Sequence, residues 1–150
     1  MRVYIPELVP AQKCICLDVD TIICDSLQPL WDMELDDKWL AWCPEHLGTY
    51  RPYGSKYYNF GVSVLNLNQM RKDKATEKLV NDLNTIAFNY AEQDALNYNA
   101  MDKSLDIPVR FNECFCCGYT DNPAIVHYAG NPFWMTDRNM YRREYLDKYL

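Results

Sequence analysis

The run Cys14-Ile15-Cys16-Leu17 is continuously apolar and stops at Asp18-Val19-Asp20. Four apolar residues in a row read as a strand buried on both faces, as in a parallel sheet. Such a strand needs neighbours beside it and helices over it, which commits the chain to an α/β architecture. The rest of the sequence supplies both. Residues 38–43, 61–67 and 124–128 read as further strands, and 107–112 as a short extended piece. Ala75, Leu79, Val80, Leu83, Ile86, Ala87 and Tyr90 recur at helical spacing with Lys and Asp opposite. A second helix begins near Glu92 and turns Ala95 and Leu96 inward. Pro6 and Pro10 bracket one or two helical turns, residues 25–31 read as a loop and short helix, and 137–150 as an amphipathic basic-aromatic helix. With 150 residues and no repeat or linker, one domain is expected, with enough chain for a core.

Fifteen basic against twenty-one acidic side chains leave a net charge of −6, which argues against a nucleic-acid binder. No apolar run is long enough for a transmembrane helix, and the start has no signal-peptide pattern. Seven cysteines, an odd number without an export signal, read as reduced thiols in a cytoplasmic protein. Cys14-x-Cys16 and Cys114-x-Cys116-Cys117, with only His46 and His127 to join them, read as small buried hydrophobes rather than a zinc site.

Four clusters at element ends could carry chemistry. Asp18 and Asp20, at i and i+2 of a strand end, would face one way and share a hard cation such as Mn²⁺ or Mg²⁺. The triplet alone is weak, because fourteen aspartates make Asp-x-Asp common by chance. His127, also at a strand end and before Gly130, suits a third ligand; a hydrogen-bonded core histidine is the plain alternative. Glu92-Gln93-Asp94 opens a helix, where acids are favoured by the dipole, or else turns toward sugar hydroxyls. Asn59, at a sheet edge where Gly61 opens a strand, would face a cleft and offer a donor and an acceptor to vicinal hydroxyls; a turn before a strand is the plain alternative.

The ordered set Arg2, Ile5-Pro6-Glu7-Leu8-Val9-Pro10, Leu17-Asp18-Val19-Asp20, Leu30-Trp31-Asp32, Tyr58-Asn59-Phe60-Gly61-Val62, Asn66-Leu67, residues 92–97, Arg110-Phe111-Asn112 and His127-Tyr128-Ala129-Gly130 resembles glycosyltransferase family 8. That family includes glycogenin and lipopolysaccharide galactosyl- and glucosyltransferases. The resemblance implies a GT-A-like mixed sheet flanked by helices. It implies retaining, Mn²⁺-dependent transfer of glucose or galactose from a UDP-sugar to a glycan or lipopolysaccharide-type acceptor. It assigns Asp18, Asp20 and His127 to the metal, and Gln93 and Glu92 to catalysis. Arg2, Glu45, Asn59, Asp94 and Gly130 fall to the donor. The cytoplasm, including the inner face of the membrane, is the implied location.

Three departures shape the expectations. Only 17 residues precede Asp18, so the chain is read as lacking the N-terminal nucleotide-binding strands. Self-association or a partner chain would then cover an open sheet edge. No lysine follows the His-x-x-Gly turn, and Phe60 stands where the family has a small residue, which is expected to crowd the sugar pocket. The rival readings are a non-catalytic relic that keeps the scaffold, and a plain α/β interaction domain.

Overall fold

The computed structural model describes residues 2–46, 50–130, 132–135 and 141–150. Among the described residues, six strands run in chain order: β1 (Lys13–Leu17), β2 (Thr21–Ile23), β3 (Leu40–Pro44), β4 (Tyr58–Asn66), β5 (Ser104–Asp106) and β6 (Ile125–His127). The α-helices are α1 (Ile5–Leu8), α2 (Gln28–Trp31), α3 (Leu67–Lys72), α4 (Ala75–Thr85), α5 (Ala91–Asn99) and α6 (Arg143–Tyr149). Four strands form a mixed sheet in the order β1-β4-β3-β5, and β2 pairs with β6 in a separate two-stranded ribbon. Only the β3–β5 pair is parallel.

The expectation for β1 is therefore corrected. It is half-buried along its whole length and pairs only with β4, antiparallel, from Lys13↔Asn66 to Leu17↔Val62. The strands buried on both faces are β3 and, up to Leu65, β4. β4 begins at Tyr58, three residues before the expected start, so Asn59 and Gly61 lie inside a strand and not in a turn before one. The long helical pattern breaks at Ile86, whose backbone is extended, and Tyr90 is exposed. Propensity alone does not carry a helix past its last packed turn: Leu79 is its last fully buried side chain. Val109–Phe111 forms a 3-10 turn where extended chain was expected. Of the expected tail helix, Arg143–Tyr149 is helical, while 137–140 lie outside the described residues.

Side chains of the sheet face two cores. Trp39, Leu40, Trp42, Tyr58, Phe60 and Leu65 pack under α3–α5. Ala41, Cys43, Val62 and Val64 pack the other way, against Leu30, Phe111, Cys114 and Ile125. Along β4, Tyr58 and Phe60 point to one core but Val62 and Val64, of the same parity, point to the other. The reason is a register shift against β3: Trp42 pairs with Ser63, whereas Cys43 pairs with Asn59. Such irregularities re-aim side chains beside sites, and this one lies between Asn59 and Ser63 of β4. Phe60 turns into the core, edge-on to Trp42 at 5.9 Å, so it does not crowd the cleft as its type suggested.

The N-terminal segment is tied down by Arg71, whose guanidinium donates to the Pro6 and Ala11 carbonyls at 2.6 and 2.5 Å. The Thr76 hydroxyl donates to the Val3 carbonyl at 3.1 Å. These contacts hold Arg2 against the end of β1.

Candidate active site

A cleft of about 540 Å³ opens where β1, β4, α5 and β6 end, and its walls include Asp18, Asp20, Glu45, Asn59, Gln93 and His127. Asp18 and Asp20 lie in the turn between β1 and β2, not on a strand. Hydrogen bonds shape that turn: Asp18 N–H donates to the Gly61 carbonyl at 2.7 Å, and the Thr21 hydroxyl to the Asp18 carbonyl at 2.8 Å. Tyr128 N–H donates to the Asp20 carbonyl at 2.9 Å, which brings β6 alongside. His127 Nε2 then stands 3.7 Å from Asp18 Oδ2 and 3.5 Å from Asp20 Oδ1. One ligand atom from each of the three lies within 4.8 Å of the others.

A chain of amides orients the imidazole. Asn112 Nδ2 donates to Asn59 Oδ1 at 2.9 Å, which leaves Asn112 Oδ1 to accept from His127 Nδ1 at 2.8 Å. Asn59 Oδ1 also accepts from Gly61 N–H at 2.9 Å. Nδ1 therefore keeps its proton, and Nε2 faces the carboxylates, where a metal ion would take the place of the second proton. Asn112 is wholly buried and was not singled out as a site residue in the sequence. Its position directly after the Arg110-Phe111 pair carries no local signal of that role.

The electrostatics match. Burial disfavours charge on His127, but hydrogen bonds with Asp20 and Cys114 outweigh it and raise its pKa to about 9. The His127 hydrogen bond holds the Asp20 carboxyl below the ordinary range. Burial pushes the Glu45 carboxyl up, against the Asn59 amide that faces it at 3.5 Å. Three acids converge on the cleft with one imidazole between them, so a divalent cation fits the donor set of Asp18, Asp20 and His127.

Among the other expected residues, Gln93 and Gly130 line the cleft. Gln93 is locked at both ends: Oε1 accepts from Phe60 N–H at 2.9 Å and Nε2 donates to the Tyr57 hydroxyl at 3.0 Å. Arg2 sits at the rim, its Nη1 donating to Asp18 Oδ1 at 2.6 Å and to the Phe60 carbonyl at 3.1 Å. Glu92 accepts from the Arg2 backbone N–H at 2.7 Å, so it reaches the cleft through Arg2. Asp94 is wholly buried. Its carboxylate accepts from Tyr57 (2.6 Å), Tyr50 (3.0 Å) and the Asn89 and Tyr90 amides (both 2.9 Å). Through these bonds it holds Tyr50 and Tyr57, which line the cleft. The loop expected from Gly48 to Gly54 is described only from Tyr50 onward, where Tyr50 joins the cleft.

A mixed sheet flanked by helices, with a carboxylate–imidazole cluster at its strand ends, is the arrangement of a GT-A-type glycosyltransferase domain. The family model described as glycosyl transferase family 8 matches residues 1–135, and the chain belongs to that family. A Haemophilus influenzae protein carrying a glycosyltransferase name is 31% identical over 147 residues, covering 82% of this chain and 44% of that protein. General stress protein A of Bacillus subtilis is 25% identical, covering 96% of this chain and 62% of its own length. Among solved structures, the galactosyltransferase LgtC, crystallised with donor and acceptor sugar analogues, superposes with a TM-score of 0.81 at 25% identity. That match covers 99% of this chain and 64% of LgtC. The chain thus spans less than two thirds of the length of these relatives. No helix among the described residues is long and apolar enough to cross a membrane.

Proposed function

We propose that the chain performs retaining transfer of a hexose, glucose or galactose, from a UDP-sugar to a glycan or lipopolysaccharide-type acceptor. The observation that carries this reading is the convergence of Asp18, Asp20 and a tautomer-fixed His127 on one cleft with Glu45, Asn59 and Gln93. These three ligands suit Mn²⁺ or Mg²⁺. A divalent cation there supplies charge neutralisation to the departing diphosphate.

The chain's own groups do the rest. Arg2, held by Glu92 and lying over the Phe60 ring at 4.3 Å, presents a cation at the rim toward the donor phosphates. Asn59 Nδ2 and the Glu45 carboxylate offer a donor and an acceptor to sugar hydroxyls. Gln93 is uncharged and fixed in place, so a covalent intermediate through it is disfavoured. Its carbonyl dipole instead supports positive charge developing at the reacting carbon during front-face transfer. Tyr50, Tyr57 and Tyr90 give the cleft apolar faces for a sugar ring. The free edge of β1 offers its backbone groups to a further strand of this or another chain.

The test is incubation with Mn²⁺ and UDP-galactose or UDP-glucose, reading UDP release and the anomeric configuration of the product by NMR. UDP release with retention supports the proposal. Metal-dependent donor binding without any release would favour a scaffold that has lost turnover.

A further inference from the structure

Four of the seven cysteines meet at the cleft floor, which Cys116 itself lines. Cys114, Cys116 and Cys117 are all buried, and their sulfurs lie within 4.8 Å of one another. Cys114 and Cys116 Sγ are 3.1 Å apart. Cys43, wholly buried on β3, is in hydrogen-bonding reach of Cys117. Cys114 and Cys117 stand at C-x-x-C spacing, with Cys116 set between them. The turn is tight: Gly118 N–H donates to the Cys114 carbonyl at 2.9 Å, and Gly118 adopts φ +115°, a conformation that favours glycine.

A further feature points to a ligand. Buried amide groups face the sulfurs: Asn59 Nδ2 lies 3.6 Å from Cys116 Sγ and Asn112 Nδ2 3.7 Å from Cys117 Sγ. Donors of this kind stabilise sulfur that carries negative charge. Three neutral thiols, weak donors all, gain little from one another at such contact. One soft cation would replace their protons and satisfy all three sulfurs together.

We propose that Cys114, Cys116 and Cys117 form a thiolate site for Zn²⁺ that adjoins the carboxylate–imidazole cluster where Cys114 meets His127. Zinc–sulfur bonds of about 2.3 Å place ligand sulfurs roughly 3.8 Å apart, within the span observed here. Soft thiolates select zinc, whereas Asp18 and Asp20 suit a harder ion. Cys43 beside Cys117, and Glu45 beside Cys116, stand on either side as a fourth donor. Because Asn59 and Asn112 also position His127, a zinc ion here would brace the amides that aim the other site.

The whole chain, purified under reducing conditions and freed of loose metal by a chelating resin, should contain close to one zinc per chain by elemental mass spectrometry. Cys114→Ser and Cys117→Ser should lose most of it, and Asp20→Ala and Cys24→Ser should keep it. Cobalt exchanged into the wild-type chain should show sulfur-to-metal charge-transfer absorption. Should the serine variants fail to fold, alkylation mapping of the wild type decides. Cys114, Cys116 and Cys117 should be protected until a strong chelator is added, and all seven thiols should react in denaturant with chelator. Zinc lost in Asp20→Ala but kept in Cys114→Ser would overturn the proposal. So would zinc-free protein with seven reactive thiols, or two fewer than seven without reductant, which would mean a disulfide.

Discussion

His127 packs its imidazole directly over Gly61: a β-carbon built on Gly61 would lie 2.0 Å from His127 Cε1. The glycine is there for space, since its φ is not in the left-handed region. Alanine at Gly61 must push the ring away from Asp18 and Asp20. Gly61→Ala is expected to weaken Mn²⁺ binding by about tenfold or more, read by calorimetry, while circular dichroism of the backbone stays near wild type.

The amide chain Asn59–Asn112–His127 predicts an effect at a distance from any ligand. Asn112→Ala frees the imidazole to rotate and to change tautomer. Metal affinity should fall roughly 10–100-fold, although all three ligands remain. The cost should appear equally for Mn²⁺ alone and for Mn²⁺ with UDP.

Arg2 and a cation compete for Asp18. With the guanidinium on Asp18 Oδ1 at 2.6 Å, both groups partly exposed, removal of Arg2 lowers that competition. Arg2→Ala should strengthen binding of Mn²⁺ alone, by up to about fivefold, and weaken binding of UDP in the presence of Mn²⁺. Titrations with and without the nucleotide separate the two effects. Weaker binding in both would count against a phosphate-facing role.

The Asp94 carboxylate satisfies four donors at once. Removing its carboxylate leaves two tyrosine hydroxyls and two backbone amides without their acceptor, so Asp94→Ala should cost about 3 kcal/mol of folding stability. Urea unfolding would show this, and a loss of donor affinity without a loss of stability would return Asp94 to the ligand side.

Asp73 gives a pH signature away from the site. The Trp39 indole N–H, at 2.7 Å, holds its carboxyl below the ordinary value of 3.8. A lowered pKa in the folded state contributes stability above 3.8 and loses it as pH falls through the folded value. Asp73→Ala should therefore be destabilised by about 1–3 kcal/mol at neutral pH, and the gap should narrow in melts below pH 3.8.

Much of this was readable from the chain. The apolar run ending at Asp18-Val19-Asp20, and His127 at the end of another, were local patterns, and the fold does bring them together. What sequence spacing did not show were relations made by tertiary packing. β1 is an edge strand because its partners lie on one side only, which no property of Cys14–Leu17 reveals. Asn59 and Gly61 lie within β4 because of a register shift that depends on β3. Asp94, at a helix start like Glu92 and Gln93, is buried by tyrosines 37 and 44 residues away. The cysteine cluster draws Cys43 from another strand, so residues 114–117 alone understate it.

The central claim is that Asp18, Asp20 and His127 recruit a cation that joins an acidic chain to a nucleoside diphosphate. Calorimetric titration of UDP into the protein, with and without Mn²⁺, tests it most directly. Binding should require Mn²⁺ and disappear in Asp20→Ala and His127→Ala. UDP binding that is unchanged by metal, or that survives in both variants, would contradict it.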